Sequence, residues 1–171
     1  GLGGTPIFFT TVEPSFAPLW WPIKDDGDNW NCDKALTDLS FTVPSWMTVV
    51  ANGAWPPEVS LEGDWATHRW VSESEMPPYL VSVAGTNYDV VQVPSAVTDV
   101  VLFFWPEGAS ALPANREKWE WVAEMIELYS RPDRFGEYPF ADEKYSIYQW
   151  PKFGLAMEHQ TNSGQPGVWL S

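Results

Sequence analysis

The feature that most constrains the fold is a series of short apolar runs, each closed by a turn or a proline. Residues 38–43 alternate polar and apolar side chains and stop at Pro44, and residues 47–50 lead into Asn52-Gly53, a dipeptide typical of tight turns. Similar runs occupy residues 5–12, 65–71, 79–83, 88–93 and 97–105. Many short strands with this punctuation predict an antiparallel β-sandwich or saddle-shaped sheet over residues 1–105.

The pattern changes after residue 105 and predicts a second unit over residues 106–171. Apolar residues recur at helical spacing from about 115 to 130, with Asn115 as the expected N-cap and Arg131-Pro132 as the end of the helix. Apolar segments then predict strands within about 145–158, and the glycines and proline after Thr161 predict a loop. The predicted fold class is therefore mainly β (α+β), with one amphipathic helix and a short strand pair.

Charge and cysteine content exclude several functional classes. The chain has 23 acidic and 9 basic residues and a net charge of −14. This balance argues against binding nucleic acid or anionic lipid and favours a basic partner. A single cysteine excludes an internal disulfide and a cysteine-rich zinc site. No run approaches the roughly 20 apolar residues of a membrane-spanning helix.

The twelve tryptophans predict either a shallow core or a contact surface, and we expect both. Trp119 and Trp121 are two residues apart in the predicted helix, so one should face the core and the other solvent. These two and the adjacent Trp20 and Trp21 are the candidate interface residues. Exposed rings also leave open a soluble module that binds peptide or carbohydrate.

An acidic segment over residues 25–33 is rich in the oxygen ligands that calcium prefers. Its spacing does not match an EF-hand, because Trp30 falls at a ligand position whether the loop starts at Asp26 or Asp28. A solvated acidic loop that pairs with a basic partner is the favoured interpretation, and calcium binding stays open.

Several segments, taken in order, resemble the aminopeptidase N-like zinc metallopeptidases. The clearest is Met157-Glu158-His159-Gln160-Thr161, which is similar to the G-x-M-E-N or G-x-M-E-H strand of that family. Upstream, the matching landmarks are Trp20-Trp21-Pro22, Asp33-Lys34-Ala35, Val43-Pro44, Val49-Val50-Ala51-Asn52-Gly53 and Met76-Pro77-Pro78-Tyr79-Leu80. The resemblance implies part of the family's N-terminal β domain over residues 1–105 and the start of its catalytic domain over residues 106–171.

The same resemblance gives Glu158 a role, since the matching glutamate of the family holds the α-amine of the substrate. Leu155 stands at the family's motif glycine, Ile23 at a common cysteine, and residues 27–31 look inserted. The histidines are His68 and His159, and neither belongs to an H-E-x-x-H pair. The sequence thus offers no zinc ligand set, and a zinc ion would require a catalytic segment supplied elsewhere. The favoured interpretation is that Glu158 and His159 are inherited residues at a strand end, and Glu158 binds substrate only if the chain is part of an active peptidase.

Three functions follow as hypotheses. The first is a non-catalytic structural or interaction subunit that binds protein partners in a larger extracytoplasmic or membrane-associated assembly. The second is the front fragment of a split zinc aminopeptidase, with Glu158 as a substrate ligand. The third is a tryptophan-based peptide or carbohydrate module. Gly1 is not a translation start, which leads us to expect a processed chain or part of a longer product, and an exported one.

Overall fold

The computed structural model describes residues 5–24, 33–106, 112–151 and 156–166 of the chain. Short 3-10 helices cover Pro14–Leu19 and Pro78–Leu80, and the α-helix α1 covers Leu112–Tyr129. The strands are β1 (Phe8–Phe9), β2 (Ala35–Pro44), β3 (Thr48–Ala51), β4 (Glu58–Glu62), β5 (Trp65–Met76), β6 (Val83–Thr86), β7 (Asp89–Val93), β8 (Val100–Phe104), β9 (Tyr145–Trp150), β10 (Met157–His159) and β11 (Asn162–Pro166).

The described strands form three sheets, which confirms the mainly β prediction. Two are antiparallel and three-stranded, with the orders β1-β6-β3 and β2-β5-β4. The third has five strands in the order β10-β11-β9-β8-β7. Its centre is parallel, because β9 pairs in parallel with both β8 and β11. The chain passes from β8 to β9 through α1, as a parallel pair requires a long crossover.

The five-stranded sheet is covered on both faces, and β8 shows how. All five residues of β8 are buried. Val101 and Phe103 point into a core that they share with β3, β5 and β6, and that contains Trp70 and Trp150. Val100, Leu102 and Phe104 point to the other face, where α1 packs through Val122 and Ala123. This sheet contains strands from before residue 105 (β7 and β8) and from after it (β9, β10 and β11). The division into two domains at residue 105 stays a prediction.

Three local features differ from the prediction. β4 was not expected, although residues 58–62 alternate polar and apolar side chains, because the run is short, has two apolar residues and follows Pro56-Pro57. The segment after Thr161 forms β11 instead of a loop. Its Gly164 is a packing requirement, since a Cβ there would lie 2.8 Å from the ring of Trp150. Tyr79 lies in a 3-10 helix and not in a strand.

The helix also begins earlier than expected. Asn115 lies inside α1, which starts at Leu112, so the N-cap prediction is wrong. Pro113 is compatible with this start, because the first turn of a helix needs no backbone N–H donor. No helix in the described ranges is long and apolar enough to cross a bilayer.

The Asn52-Gly53 turn fixes the end of β3 against β5. Gly53 has φ +106°, and a Cβ at this position would lie 2.3 Å from the carbonyl oxygen of Val71. The next residue, Ala54, donates its N–H to that same oxygen at 2.9 Å. The backbone therefore approaches β5 as closely as a glycine allows.

We expect Gly53→Ala to lower the free energy of unfolding by about 3 kcal/mol, since both the conformation and the space exclude a Cβ. Gly63→Ala is the matched control: Gly63 has φ +57° and open space around its Cβ direction. It should cost only about 1 kcal/mol. Urea unfolding followed by tryptophan fluorescence measures both, and equal losses would contradict the steric explanation.

Candidate functional site

Three segments that the sequence singled out meet at the side chain of Asn52. This side chain is fully buried. Its Nδ2 donates to the carbonyl oxygen of Leu80 at 3.0 Å and to that of Gln160. Its Oδ1 accepts the backbone N–H of Ser82 at 2.6 Å. The end of β3, the 3-10 helix that precedes β6 and the β10–β11 turn are thus joined by one amide, and we call this contact the Asn52 junction.

The β10–β11 turn is held by further hydrogen bonds around Thr161. Gly53 donates its N–H to Thr161 Oγ1 at 3.2 Å. Ser146 Oγ donates to the carbonyl oxygen of Thr161 at 2.9 Å. Thr161 has φ +60°, a conformation that non-glycine residues rarely adopt, so these contacts also hold a strained residue. Asn162 Nδ2 donates to Ser82 Oγ at 2.9 Å and extends the network.

Glu158 lies on β10, at the edge of the five-stranded sheet, and its side chain is exposed. Its cross-strand neighbour is Ser163 of β11. The next residue points the other way, as alternation in a strand requires. The structure therefore presents Glu158 to solvent on a strand whose following turn is fixed by the Asn52 junction.

His159 is buried, with 2% of its surface exposed. Neither ring nitrogen has a hydrogen-bond partner of good geometry among the described residues. Burial lowers the pKa of His159 to about 4, and the nearby backbone of Asn162 opposes this only weakly. The imidazole is therefore neutral at pH 7 and acts as a core side chain.

The described residues do not fit a zinc ion. No group of three or more histidine, cysteine, aspartate or glutamate side chains comes together in the ranges that the structure covers. His68 is on β5 and His159 is on β10, in different sheets. Both histidines are buried, and desolvation lowers the pKa of each. A catalytic zinc site needs three protein ligands and an open position, which this arrangement lacks.

A buried lysine lies beside the Asn52 junction, although the sequence pattern did not indicate it. Lys144 is fully buried, and its Nζ donates to the carbonyl oxygens of Ala51 at 2.7 Å and Gly53 at 2.8 Å. The ammonium also lies 4.6 Å from the ring centroid of Trp70. Burial lowers the pKa of Lys144 to about 7, although the neighbouring Glu143 acts in the opposite direction.

Glu143 is almost as deeply buried and anchors β5. Its Oε1 accepts the hydroxyl of Ser72 at 2.8 Å and the backbone N–H of Ser74 at 3.1 Å. A Glu-Lys pair ahead of an apolar strand looks like ordinary surface charge in the sequence. Both groups are buried against β5 and the Asn52-Gly53 turn, which are distant in the chain, so local patterns do not reveal their burial.

The two helix tryptophans lie on opposite sides of α1, as their spacing predicts. Trp119 is half-buried and packs edge-on against Phe104 of β8, with ring centroids 5.7 Å apart. Trp121 is 57% exposed. Between α1 and the five-stranded sheet is a mainly apolar cavity of about 550 Å³, lined by residues that include Trp119, Met125, Ile126, Tyr145 and Ile147. We call this cavity and the adjoining exposed side of α1 the helix groove.

The other two candidate tryptophans, Trp20 and Trp21, are half-buried and contact each other. Their ring centroids are 5.5 Å apart, and Trp20 packs against the core shared by β3, β5 and β6. They lie far along the chain from α1, and Trp20 packs against a different core cluster from Trp119 and Ile126. Leu155 and residues 25–32, which include most of the acidic segment, lie outside the described residues, so the predictions about them stay predictions.

Comparison with known proteins adds to this geometry. No family model and no curated protein sequence matches the chain. Among solved structures, the chain is similar to the M1 zinc metallopeptidase from Deinococcus radiodurans, with a TM-score of 0.60 and 20% identity over 81% of this chain and 33% of that one. The likeness is one of fold.

Two structures of a glutamate-to-alanine mutant of the same enzyme match similarly, each with a TM-score of 0.61 and 20% identity over 80% of this chain and 31% of that one. One of them is bound to a Tyr-Ser-Ala substrate. The chain therefore spans about a third of the length of the solved structures it matches. The predicted resemblance is supported at the level of the fold, by its likeness to an M1 zinc metallopeptidase.

We expect Asn52→Ala to lower the free energy of unfolding by about 3 kcal/mol, because the Gln160 and Leu80 carbonyls and the Ser82 N–H would lose a buried partner. Asn87→Ala is the control, since Asn87 is half-buried and accepts a single 3.3 Å hydrogen bond from Thr86. Amide exchange should also speed up in β10 and β11 of the first variant. Unchanged exchange there would contradict a role for Asn52 in holding the turn.

His159 should make the protein less stable in acid. Its pKa of about 4 in the folded state is below the unfolded value of about 6.5, so the unfolded state binds more protons between these values. The contribution of His159 to the free energy of unfolding is fully present above pH 6.5. It falls by up to about 3 kcal/mol as the pH drops through 4. His159→Leu should flatten the unfolding free energy measured from pH 7 to 4. An identical pH profile for both proteins would refute this.

Proposed function

We propose that the chain is a non-catalytic interaction subunit, in which an aminopeptidase-like framework binds a protein partner within a larger assembly. Three observations support this. The fold resembles that of M1 zinc metallopeptidases, the described side chains do not fit zinc, and α1 carries apolar residues on its solvent side. The proposal rests mainly on the last observation, because a contiguous apolar surface that is exposed to water is typical of a protein interaction site.

The solvent side of α1 is apolar over two turns. Trp121, Met125 and Leu128 are 57%, 43% and 40% exposed, and their spacing of four and three residues places them on one side of the helix. Tyr129 adds a ring that is 50% exposed and packs edge-on against Phe135, which is 86% exposed. Together with the adjacent cavity, these side chains make an apolar surface with aromatic anchors, the composition of a protein–protein hot spot.

A partner seated in the helix groove would remove this surface from water. Burial of a large apolar side chain contributes roughly 1.5–3 kcal/mol. Several such side chains would therefore offset part of the entropy cost of association. An extracytoplasmic or membrane-associated location for the assembly is part of the same proposal.

The front part of a zinc aminopeptidase is the second candidate, and the exposure of Glu158 favours it. Glu158 is presented at a sheet edge, on a strand whose following turn is fixed by the Asn52 junction, as a residue that pairs with a substrate amine should be. In this case the zinc ligands are supplied by another segment, and the helix groove is covered by it. A tryptophan-based peptide or carbohydrate module has less support, since Trp119, Trp20 and Trp21 pack against other rings or the core.

The interaction proposal predicts that a Trp121→Ser/Leu128→Ser double variant fails to enter the native assembly. Leu36→Ser is the control, because Leu36 is 61% exposed on β2, outside the helix groove and at the sheet edge opposite β4. Size-exclusion chromatography of the tagged protein from its native host should show a large species for the wild type and control. The double variant should elute as the free chain, with an unchanged melting temperature. Wild-type protein that elutes alone would overturn the proposal.

Zinc content and peptidase activity separate the two candidates. Native material of an interaction subunit should hold no stoichiometric zinc and should not hydrolyse an amino-acid amide. Zinc at one equivalent, with turnover that Glu158→Ala abolishes, would establish the second candidate instead. A Glu137→Ala variant serves as the control, since Glu137 is an acidic residue outside the strand.

A further inference from the structure

One edge of the β2-β5-β4 sheet ends in a strand that the described residues leave uncovered. All five residues of β4 are exposed. Val59 and Leu61, its apolar members, are 51% and 74% exposed. β4 pairs with β5 along one side only, so the backbone groups on its other side have no strand partner within the described ranges.

The apolar face of this sheet continues onto β4. The register places Leu61 in a cross-strand row with Ala66 of β5 and Val43 of β2, which are 2% and 7% exposed. Side chains in one row share a face of the sheet. The face that enters the core on β2 and β5 is therefore open to water on β4, and one more strand beside β4 would extend the row and cover Leu61.

The opposite face of β4 is acidic, which restricts what can pair there. Glu58 and Glu62 lie at its two ends, and Glu58 pairs with Arg69 at 2.9 Å. If a second copy of the chain paired antiparallel about Ser60, the Glu58 of each copy would face the Glu62 of the other. Like charges directly opposite each other destabilise a strand pair. The net charge of −14 adds to this repulsion.

We propose that β4 is a docking edge for an extended segment of a basic protein, which adds to the sheet as a further strand. Apolar side chains of this segment lie beside Val59 and Leu61, and lysines or arginines lie beside Glu58 and Glu62. Backbone hydrogen bonds supply the affinity, and the alternating apolar and basic positions supply the specificity. This surface belongs to a different sheet from the helix groove and does not depend on it.

The test uses the full chain and a fluorescently labelled probe peptide, acetyl-Thr-Lys-Val-Thr-Val-Lys-Thr-amide, with fluorescence anisotropy as the readout. The probe should bind saturably and more weakly as salt increases, and β4 amides should gain protection from hydrogen exchange. Leu61→Thr and Glu62→Lys should each weaken binding roughly tenfold, the effect of losing about 1.4 kcal/mol of contact. Leu36→Thr should change nothing, since Leu36 is 61% exposed on β2, at the opposite edge.

These substitutions are at exposed positions, and circular dichroism melting of each variant verifies its fold. A Trp121→Ser variant should bind the probe like the wild type, which separates this proposal from the helix groove. Equal binding of a probe with glutamate in place of lysine would overturn it, as would equal binding by Leu61→Thr or no saturable binding. A concentration-dependent dimer that Leu61→Thr abolishes would assign the edge to a second copy and overturn it too.

Discussion

The amide of Asn52 is the contact on which the described structure depends. It satisfies two carbonyl oxygens and one N–H from three segments, which the Gly53–Thr161 and Asn162–Ser82 hydrogen bonds also join. A buried amide is costly unless its donors and acceptors are paired, so the three segments must arrive in one arrangement for Asn52 to be buried at all. Lys144 has a similar role at the same turn, where its buried ammonium group donates to the carbonyl oxygens of Ala51 and Gly53. The position of the β10 edge, and with it the direction of Glu158, follows from this arrangement.

The two proposed surfaces arise from a different property of the fold. The five-stranded sheet is covered by one core and by α1, but α1 is apolar on its outer side as well. In the β2-β5-β4 sheet, Val43 and Ala66 are buried while Leu61 of β4, in the same cross-strand row, is exposed. In both places, apolar side chains continue onto a surface that the described residues leave exposed to water. Such surfaces are typical of proteins that work in assemblies.

Local patterns predicted the elements that have a clear period. β2 and β8 follow from apolar runs, and α1 follows from helical spacing in spite of its earlier start. β4 was missed although its sequence alternates polar and apolar residues, because the run has two apolar residues and directly follows two prolines. β11 was missed because Gly164 and Pro166 are typical of loops, whereas Gly164 is required by the ring of Trp150. Local sequence patterns contain no information about such packing.

The sequence predicted the segments that form the site, but not the contacts between them. The motif containing Glu158 and the Asn52-Gly53 turn were both identified, yet nothing in the sequence indicates that they touch. The burial of Lys144 and Glu143 was equally hidden, since charged residues before a strand are usually solvated. These features depend on contacts between residues far apart in the chain, which periodicity cannot report.

The separation of Asn52 and Gln160 by 108 residues has a consequence for how the chain folds. Closing a loop of this length costs conformational entropy before any contact compensates for it. The strands around β3, β5 and β6 can assemble from shorter loops, and the β10–β11 hairpin then docks onto a surface that is already formed. Contacts of this range slow folding. We therefore expect the strand bearing Glu158 to acquire its geometry late in folding, and to lose it when the junction opens.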